Sequence, residues 1–133
     1  MKKLPKPFLT ALPLLLLLAA CSNDDDNNEG INGRWDYAGY YNNIQDVFYP
    51  IQECESRVMT LKSKGMGLTR INDCEHEVNV TFTWEKLPET DTYSFINRDF
   101  EPETVKITLS AASDSLFVQS ISNSRFTDVY KRQ

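Results

Sequence analysis

Val78-Asn79-Val80-Thr81-Phe82-Thr83-Trp84 alternates apolar and polar side chains without a break. In an extended chain successive side chains point to opposite faces, so Val78, Val80, Phe82 and Trp84 share one face while Asn79, Thr81 and Thr83 share the other. A helix would scatter both sets around its circumference; a half-buried strand sorts them. Thr104 to Ser110 repeats the pattern, with Val105, Ile107 and Leu109 together. Arg34 to Tyr41 aligns Trp35, Tyr37, Gly39 and Tyr41. Val58 to Leu61 and Gly67 to Ile71 flank Lys62-Ser63-Lys64-Gly65, where Gly65 accepts the positive φ that a tight turn often needs, so the pair predicts a hairpin. Thr92 to Ile96, Leu116 to Ile121 after Ser113-Asp114-Ser115, and Ser124 to Tyr130 after Ser122-Asn123 bring the total to about eight strands. Asn43 to Glu55 reads differently: Ile44, Val47, Phe48 and Ile51 fall at helical spacing and Pro50 breaks the run, predicting one helical turn or a loop.

The expected fold class is therefore all-β. Short sequential strands left as one open sheet would expose two edges and one apolar face; closing them into a small antiparallel up-and-down barrel removes both problems. A two-sheet sandwich is the second architecture. The chain of 133 residues allows one such domain, from about Ile31 to Gln133.

Residues 1–20 do not belong to it. Lys2, Lys3 and Lys6 form a positive start, and Phe8 to Leu18 is an apolar stretch interrupted by Pro13. That stretch is short for a bilayer-spanning helix, which needs about 20 apolar residues, and reads as a signal peptide. Leu18-Ala19-Ala20-Cys21 follows directly and looks like the lipobox of bacterial lipoproteins. The resemblance implies that Cys21 becomes the acylated N-terminus, palmitate included, with each buried methylene contributing about 0.8 kcal/mol to the anchor. The alternative is an ordinary secretory signal followed by a chance cysteine. Ser22 to Gly30 holds no apolar residue and can only be a solvated tether. Its start, Cys21-Ser22-Asn23-Asp24-Asp25-Asp26, resembles the acidic export signal of Bacteroidetes surface lipoproteins. The expected location is the outer membrane, at the cell surface, with the periplasmic face as the alternative.

The charge balance narrows the partners. Residues 1–20 contain three lysines and no acid, so the remainder carries 11 basic and 19 acidic side chains, a net charge of about −8. Nucleic acid needs a basic face to replace phosphate counterions, and anionic lipid attracts the same face; both are disfavoured as partners. In an oxidising compartment Cys54 and Cys74 read as a disulfide. A metal site on Cys74 and His76 is the other possibility, but it lacks further ligands. His76 is the sole histidine and reads as a solvated residue beside a turn, and there is no phosphate loop, nucleophile elbow or paired-histidine motif. No enzyme activity, cofactor or metal is expected.

Gly33-Arg34-Trp35 opens the first strand directly after the tether, and this Gly-x-Trp pattern resembles the opening of lipocalins. With the lipobox, the acidic tether, Cys54 and Cys74 around a hairpin, and Phe82-Thr83-Trp84 in the next strand, the chain looks like the small lipocalin-like lipoproteins of Bacteroidetes. The resemblance implies a barrel whose end is plugged by Trp35 and whose interior takes a small apolar ligand. The domain is shorter than a full lipocalin and shows no C-terminal helix. Trp35, Tyr37, Phe82, Trp84, Tyr93 and Phe95 are the candidate ligand-binding residues: in a wide barrel they line a pocket, and in a narrow one they fill the core. Tyr40, Tyr41, Phe48 and Tyr49 are expected near one barrel end, either as an exposed patch contacting a protein or glycan or as a loop over the mouth. Asp114-Ser115-Leu116 resembles the O-glycosylation acceptor of Bacteroidetes.

Two readings apply to Asp128-Val129-Tyr130-Lys131-Arg132-Gln133. The codons GAT-GTG-TAT-AAG-AGA-CAG would encode it, and they match a transposon end used in sequencing libraries, which would end the chain proper near Thr127. Val129 and Tyr130 equally suit a genuine last strand.

Overall fold

The computed structural model describes residues 30–89 and 91–133. The expected signal peptide, Cys21 and the expected tether before Gly30 lie outside the described residues. Turn residues cut the chain into short extended segments, and each finds its neighbour by hydrogen bonding back on itself. The strands are β1 Gly33–Asn42, β2 Val47–Pro50, β3 Glu55–Lys62, β4 Met66–Asp73, β5 Glu77–Lys86, β6 Thr92–Ile96, β7 Glu103–Leu109, β8 Ser115–Ser120 and β9 Phe126–Arg132. All pairings are antiparallel, and β9 returns to β1 from Trp35↔Arg132 to Asn42↔Phe126. β2 and β3 share one position in the wall: Gly39–Asn42 of β1 pairs with β2, and Gly33–Asp36 pairs with β3. The result is the closed barrel of eight strand positions that the alternation predicts.

Two local expectations are corrected. Asn43 to Glu55 is not a helical turn or loop throughout, because Val47–Pro50 forms β2. Val47, Phe48 and Tyr49 are strand formers, and the β1 ladder overrides their helical spacing. Asn42 Oδ1 accepts from the backbone N–H of Ile44 at 3.1 Å and of Gln45 at 3.3 Å, which fixes the turn between β1 and β2. Pro50 ends β2, where its missing N–H is not needed, and Ile51 N–H then donates to Ala38 O at 3.0 Å. The second correction concerns β1. The register shifts between Tyr37 and Gly39, a bulge that inserts one residue and reverses the alternation beyond it. Tyr40 therefore faces inward instead of Gly39 and Tyr41. Gly39 lies at φ 142°, and a Cβ there would fall 2.2 Å from Tyr49 O, so only glycine lets β2 approach.

One end of the barrel is solid. Trp35 and Leu116 are fully buried, and Leu61, Met59, Trp84, Tyr93 and Ile107 pack with them. The Trp35 indole N–H donates to Ile31 O at 2.8 Å, and the Arg132 guanidinium lies 4.2 Å over its ring. Arg132 also donates to Gly30 O, Asn32 O and Ser113 O, which ties the start of the domain to its last strand. Below this plug, Lys64 (φ 66°) and Gly65 (φ 74°) make the tight β3–β4 turn expected from Gly65. Residues 128–132, for which the sequence allows two origins, carry most of the closing strand.

Candidate ligand cavity

Above the plug the barrel opens into a cavity of about 880 Å³. That volume suits a small organic molecule, whose sites span about 300–1,000 Å³. The sequence candidates divide by depth. Tyr37, Phe82 and Phe95 line the cavity. Trp35, Trp84 and Tyr93 belong to the plug beneath it, where the Trp84 indole N–H donates to Met66 O at 3.0 Å. Phe82 and Phe95 form the deep aromatic wall, with ring centroids 5.0 Å apart. Gly67, paired with Phe82 across β4 and β5, leaves room for that ring: a Cβ there would meet it at 2.3 Å. Ile71, Val80, Val105 and Val118 supply the aliphatic walls.

A polar cluster sits among these apolar groups. Arg57 Nη1 lies 3.7 Å from Asp128 Oδ2, and its guanidinium covers the Tyr37 ring at 4.3 Å. The Tyr37 hydroxyl donates to Asp128 Oδ1 at 3.1 Å, and the Tyr37 and Tyr130 rings lie 5.2 Å apart. Arg57 Nε is buried without a hydrogen-bond partner. Burial pushes the Tyr130 hydroxyl up to about 12 and raises Tyr37 well above the ordinary tyrosine value; neighbouring Asp128 adds to both shifts. Burial also raises the Asp128 carboxyl, against the opposing pull of Arg57 and Tyr37. On the surface the opposite holds. Backbone N–H groups of His76 and Glu75 lower Asp73, and hydroxyls of Ser110 and Ser115 lower Asp114. An NMR titration of the carboxyls should therefore find Asp128 protonating at a higher pH than Asp73 and Asp114 as acid is added. The raised Asp128 favours the folded state more when protonated, so its ionisation subtracts stability as pH rises through its folded value.

Sequence reasoning missed Arg57, Asp128 and Tyr130, and it placed Tyr40 near a barrel end without giving it an inward face. A usable signal existed for the first two: Arg57 precedes inward Met59 and Leu61 by two and four residues, and Asp128 precedes inward Tyr130 by two. A charge at an apolar parity marks a functional or strained position. The bulge hid Tyr40.

The mouth is formed by the β1–β2, β4–β5, β6–β7 and β8–β9 connections. Phe100, Glu101, Glu103, Ser122 and Asn123 line it. The Cys54–Cys74 disulfide also lies at this end, one residue beyond the Glu55↔Asp73 pair. The aromatic hairpin lies here too. Tyr40 stacks on Tyr49 at 5.2 Å and meets Phe126 edge-on at 5.5 Å, while Tyr41 and Phe48 pair at 5.0 Å on the outer face. His76 is exposed in the β4–β5 turn, 3.7 Å from Asp73. Among the described residues no cluster of three or more metal-ligating side chains occurs. No protein-family model matches the chain, and neither does any curated protein.

Proposed function

We propose that the chain is a lipid-anchored, lipocalin-like binding protein, of the kind found in Bacteroidetes, that holds a small apolar ligand inside its barrel. The observation that supports this most is the cavity itself: about 880 Å³, walled by Phe82, Phe95 and aliphatic side chains, closed below by the Trp35 plug and open above. An eight-strand barrel is either filled by its own side chains or wide enough to hold one small ligand, and this one keeps an open cavity. Binding, without chemistry on the ligand, suits a cavity whose one lining guanidinium, Arg57, is already paired with Asp128.

Native mass spectrometry of the chain from Ser22 onward tests the reading, since every strand lies within residues 33–132. A bound mass that is lost on denaturation is the expected result. Val118→Trp should reduce uptake of that ligand by more than about tenfold, because the indole occupies cavity space, and a thermal melt confirms that the variant stays folded. A clean apo mass across lipid extracts would remove the proposal. Attachment through Cys21 predicts that Cys21→Ser shifts the protein from the membrane fraction to the soluble fraction, with loss of palmitate labelling. The proposed site of display is the outer membrane, at the cell surface; shaving intact cells with protease checks it.

A second reading has its own observation. Tyr41, Phe48 and Tyr49 remain 38%, 37% and 39% exposed, beside Val47 at 43% and Ile44 at 75%. Such a patch on one hairpin suits contact with a protein or glycan. Tyr41→Ser with Phe48→Ser would abolish that contact and leave cavity binding intact.

A further inference from the structure

The charge and the rings of the cavity narrow its ligand, on the footing that the cavity is a binding site. Three carboxylates, Glu101, Glu103 and Asp128, line it, against one guanidinium, Arg57, and no lysine. Arg57 is already engaged with Asp128 and the Tyr37 ring. The charges of Glu101 and Glu103 at the mouth are left without a cation among the lining residues. Glu103 also acts on the interior, raising both Asp128 and Tyr130. A fatty-acid carboxylate entering here would pass two like charges and then compete with Asp128 for Arg57. A cation meets the reverse situation. The carboxylates attract it, and aromatic faces hold it through their quadrupoles. Phe126 is not counted among those rings, because Arg125 already lies 5.3 Å over it. Arg98 and Arg125 flank the mouth in sequence, but neither lines the cavity.

We propose that the cavity takes an organic cation: an amine or alkylated ammonium head held at the mouth by Glu101, Glu103 and the rings of Tyr40 and Phe100, on an apolar body lying against Phe82, Phe95 and Val118. The acidic balance of the whole domain adds long-range attraction for such a ligand.

Isothermal titration calorimetry with three probes of equal chain length separates this proposal from the one beneath it. Decyltrimethylammonium, decanol and decanoate are compared on the chain from Ser22 onward, below their micelle concentrations. The expected result is that the ammonium probe binds at least about tenfold more tightly than decanoate. Replacing both mouth acids (Glu101→Gln with Glu103→Gln) should erase that preference, whereas Glu85→Gln, on the outside of β5, should leave it unchanged. These residues are exposed, so the variants should unfold like the parent, and a thermal melt confirms it. Equal or tighter binding of decanoate overturns the cation inference, as does a Glu85→Gln effect as large as that of the mouth pair; in either case binding of decanol leaves the cavity reading standing. Failure of all three probes overturns both.

Discussion

Trp35→Ala should cost about 4 kcal/mol of stability, a large part of the about 5–15 kcal/mol that a domain commonly has. Three losses combine. A fully buried indole leaves a void among Leu61, Trp84 and Leu116. Ile31 O loses its 2.8 Å donor inside the plug. Arg132 loses the ring it covers, which loosens its grip on Gly30 and Asn32. Urea denaturation followed by fluorescence of the remaining Trp84 measures the loss. Trp35→Phe keeps a ring without the donor and should recover more than half of it. A change below about 1 kcal/mol for the alanine variant would show that the plug is not the centre of the core.

The second large effect is expected at the mouth. Removing the Cys54–Cys74 link by replacing both residues with alanine should cost about 3 kcal/mol, because the bond closes a loop with a sequence separation of 20 in the unfolded chain. For a domain of this size that corresponds to a fall in melting temperature of roughly 15 °C. Reductant should lower the melting temperature of the parent by a similar amount and leave the double variant unmoved. The bond extends the β3–β4 ladder past its last pair, so its loss frees the start of β3 and the end of β4, which carry Arg57 and Ile71 into the cavity. Ligand affinity should therefore fall along with stability. If stability falls and affinity does not, the mouth holds its shape without the covalent link.

The fold was legible because a sheet with one buried face writes its period into the chain. β5 and β7 show it directly, and counting such segments led to closure. β2 was missed for a physical reason: four residues are too few to establish a period, and what holds them is hydrogen bonding to β1 across a four-residue turn instead of local preference. The face reversal in β1 arose from one inserted residue that no side chain announces; Gly39 marks its position only once Tyr49 is seen against it. Depth was the other hidden quantity. Period two says which residues point inward, not how far along the barrel they lie. Trp35 and Tyr37 read alike in sequence, yet one seals the floor and the other lines the chamber. The interior charges at Arg57 and Asp128 left a signal, as exceptions to an apolar face, that the sequence reading did not use.

The grip of Arg132 on Gly30 sets a direction as well as a bond. Gly30, where the described residues begin, sits at the plugged floor, the pole opposite the disulfide and the aromatic hairpin. If Cys21 carries the anchor, as proposed, the barrel is held from its floor side. Its opening then looks into the surrounding medium. Cargo would come and go through water instead of sliding in from the bilayer, and the tethered cup would be placed to sample solutes that drift past the cell.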